Sequence, residues 1–298
     1  MSTAKETYQN LYENKNDDAD VTFLVHGEEI KAHKIIVTDR SEMLKTMINF
    51  PVPPEDGRYL ITDELIQAND FKEFLKFLYL DECEIDYINI GALLHMSEMY
   101  LVPLMKQKCM EFVHTECKTI HGILQCCELA ILHEKECPEM IEICLTALSN
   151  TRFTSFCYTS RIGKTRVSAE LIKRIAKDCP RTSTLNEDDM FMKIFDWGTM
   201  ECKPPVTPEG MKKVLSEIMK SIKLENLSIN NLTKIVHKNG LLPPEKYVQQ
   251  LIDHINGNRP VGSIDESVLS DGSDTSGRFG FRSRFESQNV QRQYESYY

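Results

Sequence analysis

The chain is short of basic charge, of long apolar runs and of any recognisable catalytic motif. Its 35 Lys and Arg are outnumbered by 45 Asp and Glu, giving a net charge of −10 and a pI near 5.4. A nucleic-acid surface needs clustered Lys and Arg to displace counterions from phosphates, so this balance argues against such a partner. No stretch approaches the roughly 20 apolar residues of a membrane-spanning helix. The opening MSTAKETYQN also lacks the apolar core of a secretory signal. The expectation is a cytoplasmic protein without a membrane partner.

There is no GxSxG elbow, glycine-rich phosphate loop or HExxH helix. Arg161-x-Gly163-Lys164-Thr165 ends like a phosphate loop but lacks the upstream glycine and preceding strand. Catalysis needs a nucleophile, a base and an orienting group together. We therefore assign no catalytic residue and no cofactor, and expect a chain that is not an enzyme. The ten cysteines form no CxxC pair. With no secretory signal, they read as reduced thiols packed as small hydrophobes, as at Cys109, Cys127 and Cys144 on apolar helix faces. His114-x-x-Cys117-x-x-x-His121 lacks a fourth ligand at zinc spacing, so no metal site is expected.

What is present suits a globular chain of one large or two ordinary domains: 298 residues, 41% hydrophobic and 27% charged. Val21, Phe23 and Val25 alternate with Thr22 and Leu24 as in a strand, Gly27 turns the chain, and Glu29 to Ala32 return. His33 to Met47 reads as helix, so the unit is α+β rather than doubly wound. Before it, Tyr8, Leu11 and Tyr12 at i, i+3, i+4 define a short amphipathic helix. Alone it is too small to be stable, so it either docks or frays.

Phe50 to Gly57 is a proline-rich loop, and Tyr59-Leu60-Ile61 a third strand. Asp70 and Glu73 suggest a capping box for a helix carrying Phe71, Phe74, Leu75 and Leu78. Tyr87 to Ile90 reads as a short strand before the helix of Leu93, Leu94 and Met96, and Pro103 opens another helix. From Ile120 the pattern is all-helical, with caps at Ser168, Asn186, Thr207 and Ser228 and stops at Gly240 and Gly257. Phe156 to Val167 is polar and reads as a looped insertion. From Gly257 the chain is rich in Ser, Gly and Asp, the composition of a disordered segment.

The residues also carry a resemblance. Asp20-Val21-x-Phe23-x-Val25-x-Gly27, Ile30-x-Ala32-His33-Lys34, Val37 and Arg40-Ser41 resemble the signature of the BTB/POZ domain. The likeness continues through Phe71-x-x-Phe74-Leu75-x-Phe77-Leu78-Tyr79-x-Asp81 and Glu98-Met99-Tyr100-Leu101-Val102-x-Leu104. Met190-Phe191-x-x-Ile194-Phe195-Asp196-Trp197, followed by Glu201-Cys202, is similar to a segment of BACK domains, most of all those in BTB proteins with a PHR domain. The implied fold is an α+β BTB/POZ domain, a small sheet with helical hairpins, followed by an all-α BACK domain of antiparallel helix pairs. The implied division is an N-terminal dimerisation helix at 1–19, BTB/POZ at 20–118, BACK at 119–256 and a disordered tail at 257–298. Arg284-Phe285 and Gln293-Tyr294 faintly resemble the start of a PHR domain. The tail is therefore either unstructured or a remnant of that domain, whose β-sandwich needs about 100 residues.

The resemblance implies a homodimer built with Tyr8, Leu11 and Tyr12, and with Asp20 and Lys34 paired in a charged pocket. The alternative for those two charges is a surface ion pair of little energetic weight. It also implies a cullin-binding face with Val52, Glu55 and Tyr100, although Tyr100 fits core packing equally well. Cullin-binding relatives carry a hydrophobic residue, any residue, then Glu. In Val52-Pro53-Pro54-Glu55 the Glu comes one position late. Two functions follow: a dimeric adaptor joining an unidentified protein substrate to a cullin-RING ubiquitin ligase, or a dimeric scaffold or inhibitor that pairs with related BTB proteins without cullin. Transcriptional repression would need a DNA reader, and none is present.

Overall fold

The computed structural model describes residues 3–52, 54–160 and 163–257. Thr3 and Glu6 start α1 (Ala4–Glu13) with a capping box, each side chain accepting the other's backbone N–H. After α2 (Lys15–Asp18), β1 (Val21–Val25) buries Val21, Phe23 and Val25 and leaves Thr22 and Leu24 half-buried, the two-residue period of a strand with one core face. β2 (Glu28–Ala32) returns antiparallel, with Val25 opposite Glu28. His26 and Gly27 between them have φ of 47° and 89°, the left-handed pair that suits a two-residue hairpin.

The segment expected to be helical forms two helices, α3 (Lys34–Arg40) and α4 (Glu42–Ile48). Ser41 breaks them: its backbone is extended, and its hydroxyl accepts the Leu44 N–H at 3.1 Å and donates to Tyr100 O at 2.6 Å. A serine hydroxyl that competes for backbone groups ends one helix while capping the next. The crossover lets β3 (Arg58–Ile61) join β1 in parallel, giving the order β2-β1-β3.

The next helix, α5 (Ala68–Leu80), buries Phe71, Phe74, Leu75 and Leu78. Its capping box is Gln67 with Asp70, not Asp70 with Glu73, which instead accepts the Glu84 N–H at 2.8 Å. Tyr87 to Ile90 is not a strand. The Asp86 carboxylate accepts the N–H groups of Ile88 and Asn89 at 2.7 and 3.0 Å, a local turn that feeds α6 (Ile90–Met99). Pro103 does start α7 (Pro103–Glu116).

The helical region follows: α8 (Ile120–Leu132), α9 (Glu139–Ser149), α10 (Ala169–Asp178), α11 (Glu187–Glu201), α12 (Pro208–Leu215), α13 (Ile229–Asn231) and α14 (Pro244–Ile255). Side chains of Thr119, Ser168, Asn186, Thr207 and Ser228 each accept a backbone N–H at a helix start. The chain leaves α13 through a π-helical turn, Leu232–His237. The polar stretch before α10 is a β-hairpin rather than a loop, β4 (Cys157–Ser160) against β5 (Gly163–Arg166). Phe156 and Val167 at its base are buried, and Trp197 Nε1 donates to Val167 O at 3.0 Å. One apolar cluster runs from Phe23 and Phe74 through Met105 and Cys109 to Ile141, Leu171 and Trp197. Residues 258–298, with the tail and its suggested PHR remnant, lie outside the described residues.

Candidate protein-interaction surface

α1 lies on α5 of its own chain. The Tyr12 ring meets Tyr79 edge-on at 5.5 Å, and its hydroxyl reaches Lys72 O at 3.5 Å. Leu11 and Tyr12 are half-buried, whereas Tyr8 is exposed. Beneath this contact the Tyr79 hydroxyl accepts the His33 N–H at 2.7 Å and donates to His33 Nδ1 at 2.8 Å. That leaves His33 Nε2 as the donor to Asp18 at 2.8 Å. Burial pushes the Tyr79 hydroxyl up to about 12, so it keeps its proton for this role.

Asp20 and Lys34 are adjacent, through a different contact from the charged pair expected. Asp20 is exposed, and its carboxylate accepts the Lys34 backbone N–H at 2.6 Å. The acid thus satisfies an orphan donor at the start of α3, where a helix end favours negative charge. Ile35, the next residue, is left exposed.

On another face, the loop after α4 is fastened at both ends. Tyr59 donates to Ile48 O at 3.0 Å, Gly57 N–H to Pro54 O at 3.0 Å, and Arg58 bridges Asp56 and Glu29. At its tip Phe50 and Val52 are 62% and 75% exposed, and Glu55 is exposed nearby. Both apolar side chains are thus held in water on a loop tethered at its ends.

Tyr100 is not on that surface. It is 5% exposed, its ring lies 5.3 Å from Phe74 and 6.3 Å from Phe71, and burial pushes its hydroxyl up to about 12. Its neighbour Leu101 points out instead. Leu101 has φ of 53°, with Val102 N–H donating to Ser97 O at 2.8 Å and Leu101 N–H to Glu98 O at 3.3 Å. This is a Schellman stop with leucine in the position usually taken by glycine. Leu101 and Leu104 are exposed, and the Ser41 bond to Tyr100 O ties their corner to α4. Reading the sequence missed Phe50, Leu101 and Leu104; the one available signal was Pro103, which forces the preceding residue out of helix.

The joint to the helical region is ionic. Lys106 pairs with Glu98 at 2.9 Å and Glu139 at 3.2 Å, and donates to Glu136 O at 3.2 Å. These bonds, Glu98's first, hold its pKa above the usual lysine range. Deeper in, Arg181 grips Glu187 with two bonds of 2.6 and 3.0 Å. The histidine and cysteine motif does not converge: His121 accepts the Thr159 N–H at 3.3 Å, while Cys117 faces Cys144.

Comparison with known proteins gives part of the chain a class. Residues 8–116 match the family model of the BTB/POZ domain, and that segment is a BTB/POZ domain, here followed by a helical region. BTB domains are protein-interaction modules that typically dimerise and bind partners, and proteins built on them are generally non-enzymatic scaffolds or adaptors.

Among particular relatives, the chain is 21% identical to BTB/POZ domain-containing protein 6 of Xenopus laevis, over 81% of this chain and 45% of that protein. It is 19% identical to BTB/POZ domain-containing protein 3 of Homo sapiens, over 75% of this chain and 42% of the relative. The chain thus spans less than half the length of these relatives. Among solved structures it is similar to the BTB domain of human gigaxonin, at 21% identity and a TM-score of 0.32, covering 38% of this chain and 96% of the other. No described helix is long and apolar enough to cross a membrane.

Proposed function

We propose that this chain is a dimeric adaptor that joins a protein substrate to a cullin-RING ubiquitin ligase. The observation that carries the reading is the tethered loop of the BTB domain, with Phe50 and Val52 in water and Glu55 beside them. A cullin would cover those apolar side chains, and Leu101 and Leu104 would extend the contact. The exposed Tyr8 and Ile35 would meet a second copy, with the segment 1–19, which carries α1, as the dimerisation element and Asp20 and Lys34 close to the two-fold axis. On this reading residues 119–256 are a BACK domain that sets the distance to the substrate. No bond is made on the chain; it raises the substrate's local concentration at the ligase, and a dimer does so twice.

One observation favours a second reading, a dimeric scaffold or inhibitor that pairs with related BTB proteins. Glu55 stands one position later than in cullin-binding relatives, and Tyr100 is not available to help. Titration of a cullin N-terminal fragment decides between them. The adaptor binds at about micromolar or tighter, and Val52→Glu, a charge in a desolvated contact, abolishes binding. A dimer with no cullin affinity would refute the adaptor and leave the scaffold.

A further inference from the structure

Thiols gather where the BTB domain meets the helical region. Cys117 closes α7, Cys126 and Cys127 lie on α8, and Cys144 lies on α9. Cys117 Sγ is 3.8 Å from Cys144 Sγ, the contact of two sulfurs with nothing between them. Cys126, Cys127 and Cys144 are fully buried, whereas Cys117 is half-buried. An oxidant arriving from solvent therefore meets Cys117 before the others.

The surroundings also favour charge on that sulfur. The neighbouring Cys126 and Cys144 thiols hold the Cys117 thiol below the ordinary cysteine range, against the effect of burial, and His114 adds to the lowering. The same contacts, with burial, push Cys126 and Cys144 up. A thiolate that is reachable and backed by a second thiol in contact is the arrangement of a redox-responsive cysteine.

We propose that Cys117 and Cys144 are a hydroperoxide-sensitive dithiol that closes into an intramolecular disulfide at the seam between the BTB domain and the helical region. In the first step the Cys117 thiolate attacks the outer peroxide oxygen. The O–O bond breaks, the attacked oxygen stays on sulfur with its hydrogen as a sulfenic acid, and the other oxygen leaves as alcohol or water after taking from solvent the proton that the thiol had released. In the second step the Cys144 sulfur attacks Cys117. The S–O bond breaks, and the hydroxyl leaves as water with the Cys144 proton. Two thiols lose two electrons in all, and the peroxide takes them up. Bond formation closes the sulfurs from 3.8 Å to about 2.05 Å. The new bond clamps the end of α7 to α9 and so stiffens the joint that spaces the two parts. Thiol reductants reverse it.

The test uses the full purified chain, treated with a small excess of hydrogen peroxide and then alkylated under denaturing conditions. The expected product carries two alkyl groups fewer than the reduced and alkylated control, runs as a single chain on a non-reducing gel, and yields a Cys117–Cys144 bridge by peptide fragmentation. The Cys117→Ser variant, a half-buried position that tolerates the change, is expected to form no bridge. The Cys83→Ser variant should form it as the wild type does, because burial pushes the Cys83 thiol up to about 12. A bridge from Cys117 to Cys126, a bridge between Cys109 and Cys137, or accumulation of Cys117 as sulfinic acid would each overturn the proposal. So would a Cys117 that reacts no faster than Cys83.

Discussion

Removing the carboxylate of Glu187 should cost the helical region more than any surface change. Glu187 is 2% exposed and Arg181 14%, so the pair is out of water. Arg181 also donates to Ala176 O at 2.8 Å and Cys179 O at 2.6 Å, which holds the guanidinium at the end of α10. Glu187 in turn accepts the Lys223 N–H at 3.1 Å. Glu187→Ala therefore leaves a buried cation and a backbone donor unpaired together, a loss of about 3–5 kcal/mol. Glu187→Gln keeps an acceptor for Lys223 but not the charge, and should fall between. The only tryptophan, Trp197, is buried on the same helix, so its fluorescence reports this region. With a urea slope of about 1–3 kcal/mol per molar, the midpoint should drop by at least about 1 M. A Glu187→Ala midpoint equal to that of the wild type would refute the claim that this pair holds α10, α11 and the Lys223 turn together.

Three further outcomes follow. Tyr79→Phe deletes the partner of the buried His33 N–H and should cost about 1–3 kcal/mol in urea unfolding, whereas an unchanged midpoint would show another acceptor takes over. Gly122→Ala would normally help a helix, but a Cβ there lies 2.1 Å from Glu116 O. Because that is backbone and cannot swing aside, a loss of about 1–3 kcal/mol is expected, and a gain in thermal midpoint would contradict the packing. Leu101→Val puts a β-branched side chain at positive φ and should cost about 1–2 kcal/mol although the site is exposed, while Leu101→Gly should not.

Local signals were legible and non-local ones were not. The alternation of Val21, Phe23 and Val25 and the caps at Ser168, Asn186, Thr207 and Ser228 depend on neighbours within a turn, so they could be read directly. The break at Ser41 needs the Tyr100 carbonyl, far along the chain. The hairpin at 157–166 is polar because its faces are mostly exposed, which hides a strand period. Helical spacing could not decide whether Tyr100 or Leu101 faces inward, because a left-handed leucine inverts the order at the helix stop. For Asp20 and Lys34, no pattern of side chains could tell that the acid would take the backbone amide. Phe50 and Val52 show the converse: a proline-rich loop announces exposure but not the tethers that aim it.

The most direct test is the mass by light scattering of the purified chain, alone and with a cullin N-terminal fragment. The expected result is twice the 34.4 kDa chain mass alone, and a complex with one fragment per chain that Val52→Glu prevents without disturbing the dimer. A monomer in solution would contradict it.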